Sequence, residues 1–97
     1  MVELPTRTVF EVHRGTKFRL EEEPGSALEL ELVEVTMMRG ASDPRGRPFS
    51  LLFRGPAAPL LPQRIYAMEH ERLGRLEIFI VPIGRDAAGV RYEAVFN

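Results

Sequence analysis

The chain has 97 residues, of which 44% are hydrophobic and 28% are charged, as expected of one small globular domain. It contains no cysteine, which excludes a disulfide framework, thiolate catalysis and thiolate metal sites. No stretch is long and apolar enough to cross a membrane, and residues 1–5 lack the basic start and apolar run of a secretory signal. We therefore expect a cytoplasmic protein without membrane contact.

Charge is distributed unevenly along a chain whose net charge is −1. Residues 1–38 carry four basic residues against eight glutamates, whereas residues 39–64 carry five arginines against one aspartate. A molecule with one acidic and one basic region favours association with another protein or with a second copy. The simpler explanation of the uneven charge is that these residues solvate loops. Nucleic acid is disfavoured as a partner because the pI of about 6.1 is not basic.

The first predicted element is a short helix over residues 6–15. Thr8 and Glu11 have the spacing of a capping box, and Gly15 is placed to end the helix. The side expected to lie on a sheet is formed by Val9, Phe10, Val12 and His13. A helix this short depends on packing for its stability.

Six strands follow, indicated by alternating apolar and polar residues. Their predicted ranges are 17–21, 27–38, 49–54, 64–70, 75–81 and 90–96. The apolar series slips by one residue at Leu32-Val33, which predicts a β-bulge there. Pro82-Ile83-Gly84 is expected to stop the fifth strand. The register of the fourth and fifth strands stays open, with Tyr66 beside either Phe79 or Ile80.

Two segments are predicted to be loops. Residues 39–48 are rich in glycine and proline, and residues 55–63 contain prolines that cannot pair in a sheet interior and so are expected to cross a barrel end. Short connections between strands favour antiparallel pairing. The predicted fold is all-β and mainly antiparallel, a small, partly open six-stranded barrel with one short N-terminal helix, forming a single domain over residues 1–97.

Side chains suited to catalysis are few. Glu69-His70-Glu71 has the composition of a metal or acid–base cluster, but neighbours on a strand point to opposite faces, so His70 needs His13 to fold across to it. We interpret His13 as a packed residue at the helix end and His70 as a hairpin-corner residue. No serine lies in a nucleophile elbow. No enzymatic activity, catalytic residue, metal site or cofactor is predicted.

The predicted strand 75–81 is apolar on both faces, which indicates that something besides the core covers it. One explanation is a protein partner, and the other is the N-terminal helix, through Phe10 and Val9. The residues predicted to bind a partner are Phe79, Val81, Arg39, Arg45 and Arg47, with Leu52 and Val95 on the same apolar face.

Several short motifs occur in a fixed order along the chain. They include His13-x-Gly15-x-x-Phe18, the segment PFSLLFRGP at residues 48–56 and the ending YEAVFN at residues 92–97. Together they resemble a family of uncharacterised short bacterial proteins over nearly the whole chain. The resemblance implies no catalytic residues. The family's loose association with phage-tail-like proteins implies a role in structure or assembly.

The expected function is a non-enzymatic protein-interaction or structural module, as an accessory part of a phage-tail-like assembly. The alternative is a β-barrel carrier of a small molecule. Six short strands enclose little space once their aromatic residues point inward, so the interior is expected to be full. The inward residues are Phe18, Phe49, Phe53, Tyr66, Tyr92 and Phe96. Whether a small ligand binds is left open.

Overall fold

The computed structural model describes residues 4–38 and 48–97. They form α1 (Arg7–Val12), β1 (Lys17–Glu21), β2 (Ala27–Met37), β3 (Phe49–Gly55), β4 (Arg64–His70), β5 (Gly74–Asp86) and β6 (Gly89–Phe96). β1, β3, β4 and β6 follow the predicted ranges to within one residue, because apolar residues at every second position give each of them one buried face. No helix within these two ranges is long and apolar enough to cross a membrane.

All six strands pair antiparallel and close into a barrel in the order β1-β2-β3-β6-β5-β4. Two meanders, β1 to β3 and β4 to β6, are joined where β3 meets β6 and where β1 meets β4. The predicted six-stranded antiparallel barrel with a short helix is confirmed. The barrel is closed rather than partly open, because β1 pairs with β4 through Arg19 with Glu69 and Leu20 with Met68.

Two irregularities bend the barrel wall. The register of β2 with β3 shifts between Leu32 and Glu34, which confirms the predicted bulge. A second shift lies between Pro82 and Gly84, where β5 pairs with β6. The prediction that this segment stops the fifth strand was wrong. A proline is tolerated at a bulge, where a ladder hydrogen bond is missing in any case, and β5 continues to Asp86.

The hairpin of β4 and β5 has a register that differs from both predicted alternatives. Tyr66 pairs with Ile78, and Phe79 pairs with Ile65. Both alternatives were wrong because they counted Gly74 as part of the turn. Gly74 instead begins β5 and pairs with His70, and its φ of +75° lies in the left-handed region that glycine tolerates. The turn therefore holds only residues 71–73.

The N-terminal helix is shorter than predicted and begins differently. Thr6 is its N-cap, and the Thr6 side chain accepts a hydrogen bond from the Val9 amide at 3.4 Å. The predicted capping box was wrong, because Thr8 lies inside the helix and the Glu11 carboxylate pairs with the Arg7 guanidinium at 2.8 Å.

One end of the barrel is closed by the side chain of Phe10. Its ring is fully buried, with centroids 6.5 Å from Phe18, 6.0 Å from Phe49 and 5.5 Å from Phe96. Val12 is 73% exposed, so the predicted face of α1 was wrong. The helix contributes one aromatic side chain to a barrel end and does not lie flat on a sheet.

The opposite end is crossed by residues 56–63. This segment joins β3 to β4, which are not neighbours in the barrel, and so it confirms the predicted crossing. Leu61 is fully buried, and its amide donates a hydrogen bond to the Tyr92 hydroxyl at 3.0 Å. The Tyr66 hydroxyl donates to the Pro62 carbonyl at 2.7 Å. Of the predicted loop 55–63, Gly55 belongs to β3 instead.

The interior between the two ends is filled by side chains from all six strands. Of the aromatic residues predicted to point inward, five are buried and Phe96 is partly buried against the core. The largest fully buried side chains are those of Phe10, Phe18, Leu30, Leu32, Phe49, Leu51, Phe53, Leu61, Met68, Ile78, Ile80 and Tyr92.

Candidate functional site: an apolar patch on the barrel wall

An apolar patch lies on the outer wall of the barrel, centred on β5. Phe79 is 46% exposed, and its partner across the β4–β5 pairing, Ile65, is 62% exposed. Val81 stands on the same face of β5, two residues further on, and is half-buried. Val95 on the adjoining strand β6 is 43% exposed. We call Ile65, Phe79, Val81 and Val95 the apolar patch.

The helix does not cover this patch. Phe10, through which α1 was expected to reach the second face of the strand 75–81, is buried inside the barrel against Phe18, Phe49 and Phe96. Val9 is itself exposed. The explanation by helix coverage was therefore wrong, because the phenylalanine packs better into the open barrel end than onto the outer wall.

A carboxylate lies at one margin of the patch. Glu93 on β6 pairs with Val81 of β5 on one side and with Leu52 of β3 on the other. Both Glu93 and Leu52 are partly buried, so an apolar neighbour flanks the carboxylate on each side. A partner that covers Val81 and Leu52 would therefore also contact Glu93.

The opposite part of the outer wall is charged. Arg19 on β1 pairs with Glu29 of β2 on one side and with Glu69 of β4 on the other. Along the same face of β1, the Lys17 ammonium lies 3.5 Å from the carboxylate of Glu31. Cross-strand pairs of opposite charge stabilise a sheet modestly and keep this side hydrated. The outer wall thus carries the apolar patch around β5 and a group of charged cross-strand pairs around β1.

The structure does not describe the three arginines that were predicted to bind a partner together with Phe79 and Val81. Arg39, Arg45 and Arg47, and with them the predicted loop 39–48 up to residue 47, lie outside the described residues. Next to β2 and β3, the Met38 amide donates a hydrogen bond to the Pro48 carbonyl at 3.0 Å.

Both histidines come together at the helix end of the barrel, although 57 positions separate them in the sequence numbering. The ring centroids of His13 and His70 are 4.9 Å apart, and His70 also packs on Phe18 at 4.5 Å. His13 is the C-cap of α1, as interpreted from the sequence. Their contact was not predicted, because it depends on β4 ending next to the start of β1.

The two imidazoles line a groove of about 860 Å³. Its other lining residues are Val12, Thr16, Lys17, Arg19, Glu29, Glu69, Glu71 and Arg72. This groove would support a prediction of enzymatic activity if an acidic side chain were hydrogen-bonded to one of the imidazoles. Within residues 4–38 and 48–97, the hydrogen-bond partners of His70 are the Thr16 hydroxyl and two backbone amides, and none of these is an acid.

The groove is also a poor metal site in the described part of the chain. Both ring nitrogens of His70 are already engaged by protein groups, so neither is free to bind a metal ion. The described residues contain no group of three or more His, Asp or Glu side chains placed to hold a metal. Burial lowers the pKa of His70 below its ordinary range, and the nearby His13 lowers this pKa further.

Fold and surface together define a small closed antiparallel β-barrel, plugged at one end by a helical phenylalanine, with an apolar patch on its wall. The chain belongs to the family of the Domain of unknown function DUF6916, whose family model matches residues 5–96. This agrees with the predicted membership of an uncharacterised family that spans nearly the whole chain. No match is found among the curated proteins or among the solved structures.

Proposed function

We propose that this protein is a non-enzymatic interaction module that binds a different protein through the apolar patch, in the cytoplasm, as an accessory part of a phage-tail-like assembly. The observation that carries the proposal is the exposed pair of Phe79 and Ile65 on adjacent strands of a closed barrel. Contiguous apolar surface on a small protein typically marks an interaction site. The assembly context rests on the family resemblance of the sequence motifs.

The patch has the composition of a binding surface. Phe79 offers a rigid aromatic side chain, Ile65 extends the apolar area onto β4, and Val95 adds exposed apolar surface on β6. Strand hydrogen bonds hold these backbones in place before binding, which reduces the entropy lost on association. Where such an aromatic residue is a hot spot, its truncation weakens binding by about 2 kcal/mol or more.

Glu93 favours a different protein over a second copy. A complementary partner would present an apolar side chain toward Phe79 and an arginine or lysine toward Glu93. A symmetric dimer would place identical patches face to face, bringing the two Glu93 carboxylates into the same interface. Like charges in a desolvated contact oppose association.

A small-molecule carrier is the alternative function. A carrier needs space inside the barrel, whereas here the aromatic and aliphatic core residues occupy the interior and both ends are closed. The filled interior supports the interaction module over the carrier.

The experiment compares Phe79→Glu with Val12→Glu. Both replace an exposed apolar side chain by glutamate, but Val12 lies at the helix end, away from the patch. We expect both variants to keep the circular dichroism and thermal midpoint of a folded barrel. Each form is co-expressed with the tail-type proteins encoded next to its gene, and co-purification is measured.

The wild type and Val12→Glu should co-purify with a tail-type protein, and Phe79→Glu should not. Equal co-purification of all three forms, or a gene neighbourhood without tail-type proteins, would contradict the proposal. Light scattering during size-exclusion chromatography supplies a second test. A concentration-dependent dimer of the wild type that Phe79→Glu abolishes would show that the patch serves a second copy instead.

A further inference from the structure

His70 joins three parts of the chain at the helix end of the barrel. It is the last residue of β4 and is buried. Its Nδ1 accepts hydrogen bonds from the backbone amides of Arg72 at 3.0 Å and Leu73 at 3.2 Å. Its Nε2 lies 2.8 Å from the hydroxyl oxygen of Thr16, which precedes β1. The imidazole thus holds the β4–β5 turn on one side and the start of β1 on the other.

These partners determine where the proton of the neutral ring lies. Backbone amides only donate, so Nδ1 has to be the unprotonated nitrogen, and Nε2 carries the hydrogen. The Nε2–H group donates to the Thr16 hydroxyl oxygen. The Thr16 hydroxyl in turn donates its own hydrogen to the His13 carbonyl at 2.5 Å. All the hydrogen bonds that link the turn, His70, Thr16 and the His13 carbonyl can form together only when His70 is neutral.

Protonation would affect the two sides of the ring differently. A hydrogen on Nδ1 would face the amide hydrogens of Arg72 and Leu73, so three donors would meet without an acceptor. The bond from Nε2 to Thr16 would persist, since Nε2 already carries a hydrogen. We propose that His70 is a pH-sensitive latch, which holds the turn of residues 71–73 when neutral and releases it when Nδ1 is protonated.

The groups around His70 set the pH at which the latch opens. The titratable and charged groups that line the same groove as His70 are His13 at the end of α1, Lys17 and Arg19 on β1, Glu29 on β2, Glu69 on β4, and Glu71 and Arg72 in the turn. Burial is the largest influence and lowers the pKa of His70, and the positive forms of His13 and Arg72 lower this pKa further. Glu71 acts in the opposite direction.

The sign of the stability change follows from this lowered pKa. Below the ordinary histidine value of 6.5, the unfolded chain binds a proton at this position more readily than the folded barrel does. The stability contribution is therefore complete above pH 6.5. It is lost as the pH falls from there through the pKa of the folded state.

The opening should be local. Leu73 packs partly against the core and the barrel pairing continues through His70 and Gly74, so the barrel remains closed while the turn amides lose their acceptor. Glu71 and Arg72 line the groove beside the two histidines, and release of the turn would change the shape of that groove in acid.

Nuclear magnetic resonance tests the latch on the full chain between pH 8 and pH 5. Imidazole carbon and nitrogen shifts of His70 should report the Nε2–H tautomer at pH 8 and a pKa below 6.5. The amides of Arg72 and Leu73 should shift with that same pKa, and their hydrogen exchange, corrected for its intrinsic pH dependence, should accelerate at least about threefold. The Gly25 and Ala88 amides, which bond to Glu21 and Asp86, serve as internal controls and should not follow this titration.

Two variants complete the experiment. His70→Asn keeps an oxygen acceptor near the position of Nδ1 but does not titrate, so the Arg72 and Leu73 amides should become independent of pH. His13→Gln removes the neighbouring imidazole, which lowers the pKa of His70, and should therefore raise that pKa. Turn amides that stay unchanged while His70 titrates, or that follow the same pH profile in His70→Asn, would overturn the proposal. If His70→Asn does not fold, the comparison of turn amides with control amides in the wild-type protein still tests the proposal.

Discussion

At the scale of single residues, two tyrosine hydroxyls hold the segment that closes one barrel end. The Tyr92 hydroxyl is the acceptor for the buried amide of Leu61, and the Tyr66 hydroxyl donates to the Pro62 carbonyl, which is nearer to solvent. Water can replace a partner at a partly exposed position more easily than at a buried one. The two hydrogen bonds have similar lengths, 3.0 Å and 2.7 Å. Loss of the first leaves a buried amide without a partner, whereas loss of the second leaves a carbonyl that water can reach.

We expect Tyr92→Phe to destabilise the barrel more than Tyr66→Phe. The first change leaves the Leu61 amide without an acceptor and should lower the free energy of unfolding by about 1–3 kcal/mol, against about 0.5–1.5 kcal/mol for the second. Urea unfolding followed by circular dichroism measures both values. The reverse order would mean that the Leu61 amide is not the critical group at this end.

At the scale of elements, α1 depends on the barrel rather than on its own sequence. Six residues cannot sustain a helix in water, and its Thr6 cap and Arg7–Glu11 pair each contribute little. The side chain of Phe10, buried among three other rings, supplies the stability. The helix is therefore expected to be ordered only while Phe10 occupies the barrel end.

Phe10→Ala should release α1 and destabilise the whole domain. Removal of a fully buried phenylalanine typically lowers the free energy of unfolding by about 3–5 kcal/mol. Val12→Ala is the matched control on the same helix, where a change within about 0.5 kcal/mol is expected because the side chain is exposed. Thermal unfolding and the amide exchange of residues 7–12 provide the measurements. Equal effects of the two substitutions would show that Phe10 does not anchor the helix.

At the scale of the whole molecule, closure of the barrel places apolar residues on two sides of one wall. The inner side chains pack on each other, and the outer ones on β5 and its neighbours form the apolar patch. The six described strands close into one barrel, although the pairing of β5 with β6 begins only at Val81 and leaves residues 74–80 of β5 paired with β4 alone.

An environment-sensitive apolar dye should distinguish the patch from an internal ligand site. If the interior is full, dye fluorescence should depend on the outer wall and fall at least about twofold in Phe79→Glu, with Val12→Glu close to the wild type. Fluorescence that is equal in all three forms, together with displacement by a small apolar ligand, would favour the carrier instead. Fluorescence titration of the folded proteins gives the comparison.

Much of the candidate site could be predicted from the sequence, but its surroundings could not. Alternation along residues 75–81 is enough to place Phe79 and Val81 on one face, because side chains of a strand alternate between its two sides. Ile65 was missed, since its place opposite Phe79 depends on a turn that excludes Gly74. The contact of His13 with His70 was missed as well, because no local pattern relates the end of β4 to the end of α1.

The sequence by itself determined the elements of this protein, because strand periodicity, the bulge at Leu32-Val33 and the prolines of the crossing segment act over a few residues. Only the tertiary structure decided that β1 meets β4, that Phe10 enters the barrel end, and that the second face of β5 is left uncovered by the helix. These outcomes depend on packing between residues distant in the chain. Apolar side chains from distant parts of the chain compete for the same buried positions, and which of them is buried depends on all the packed elements at once.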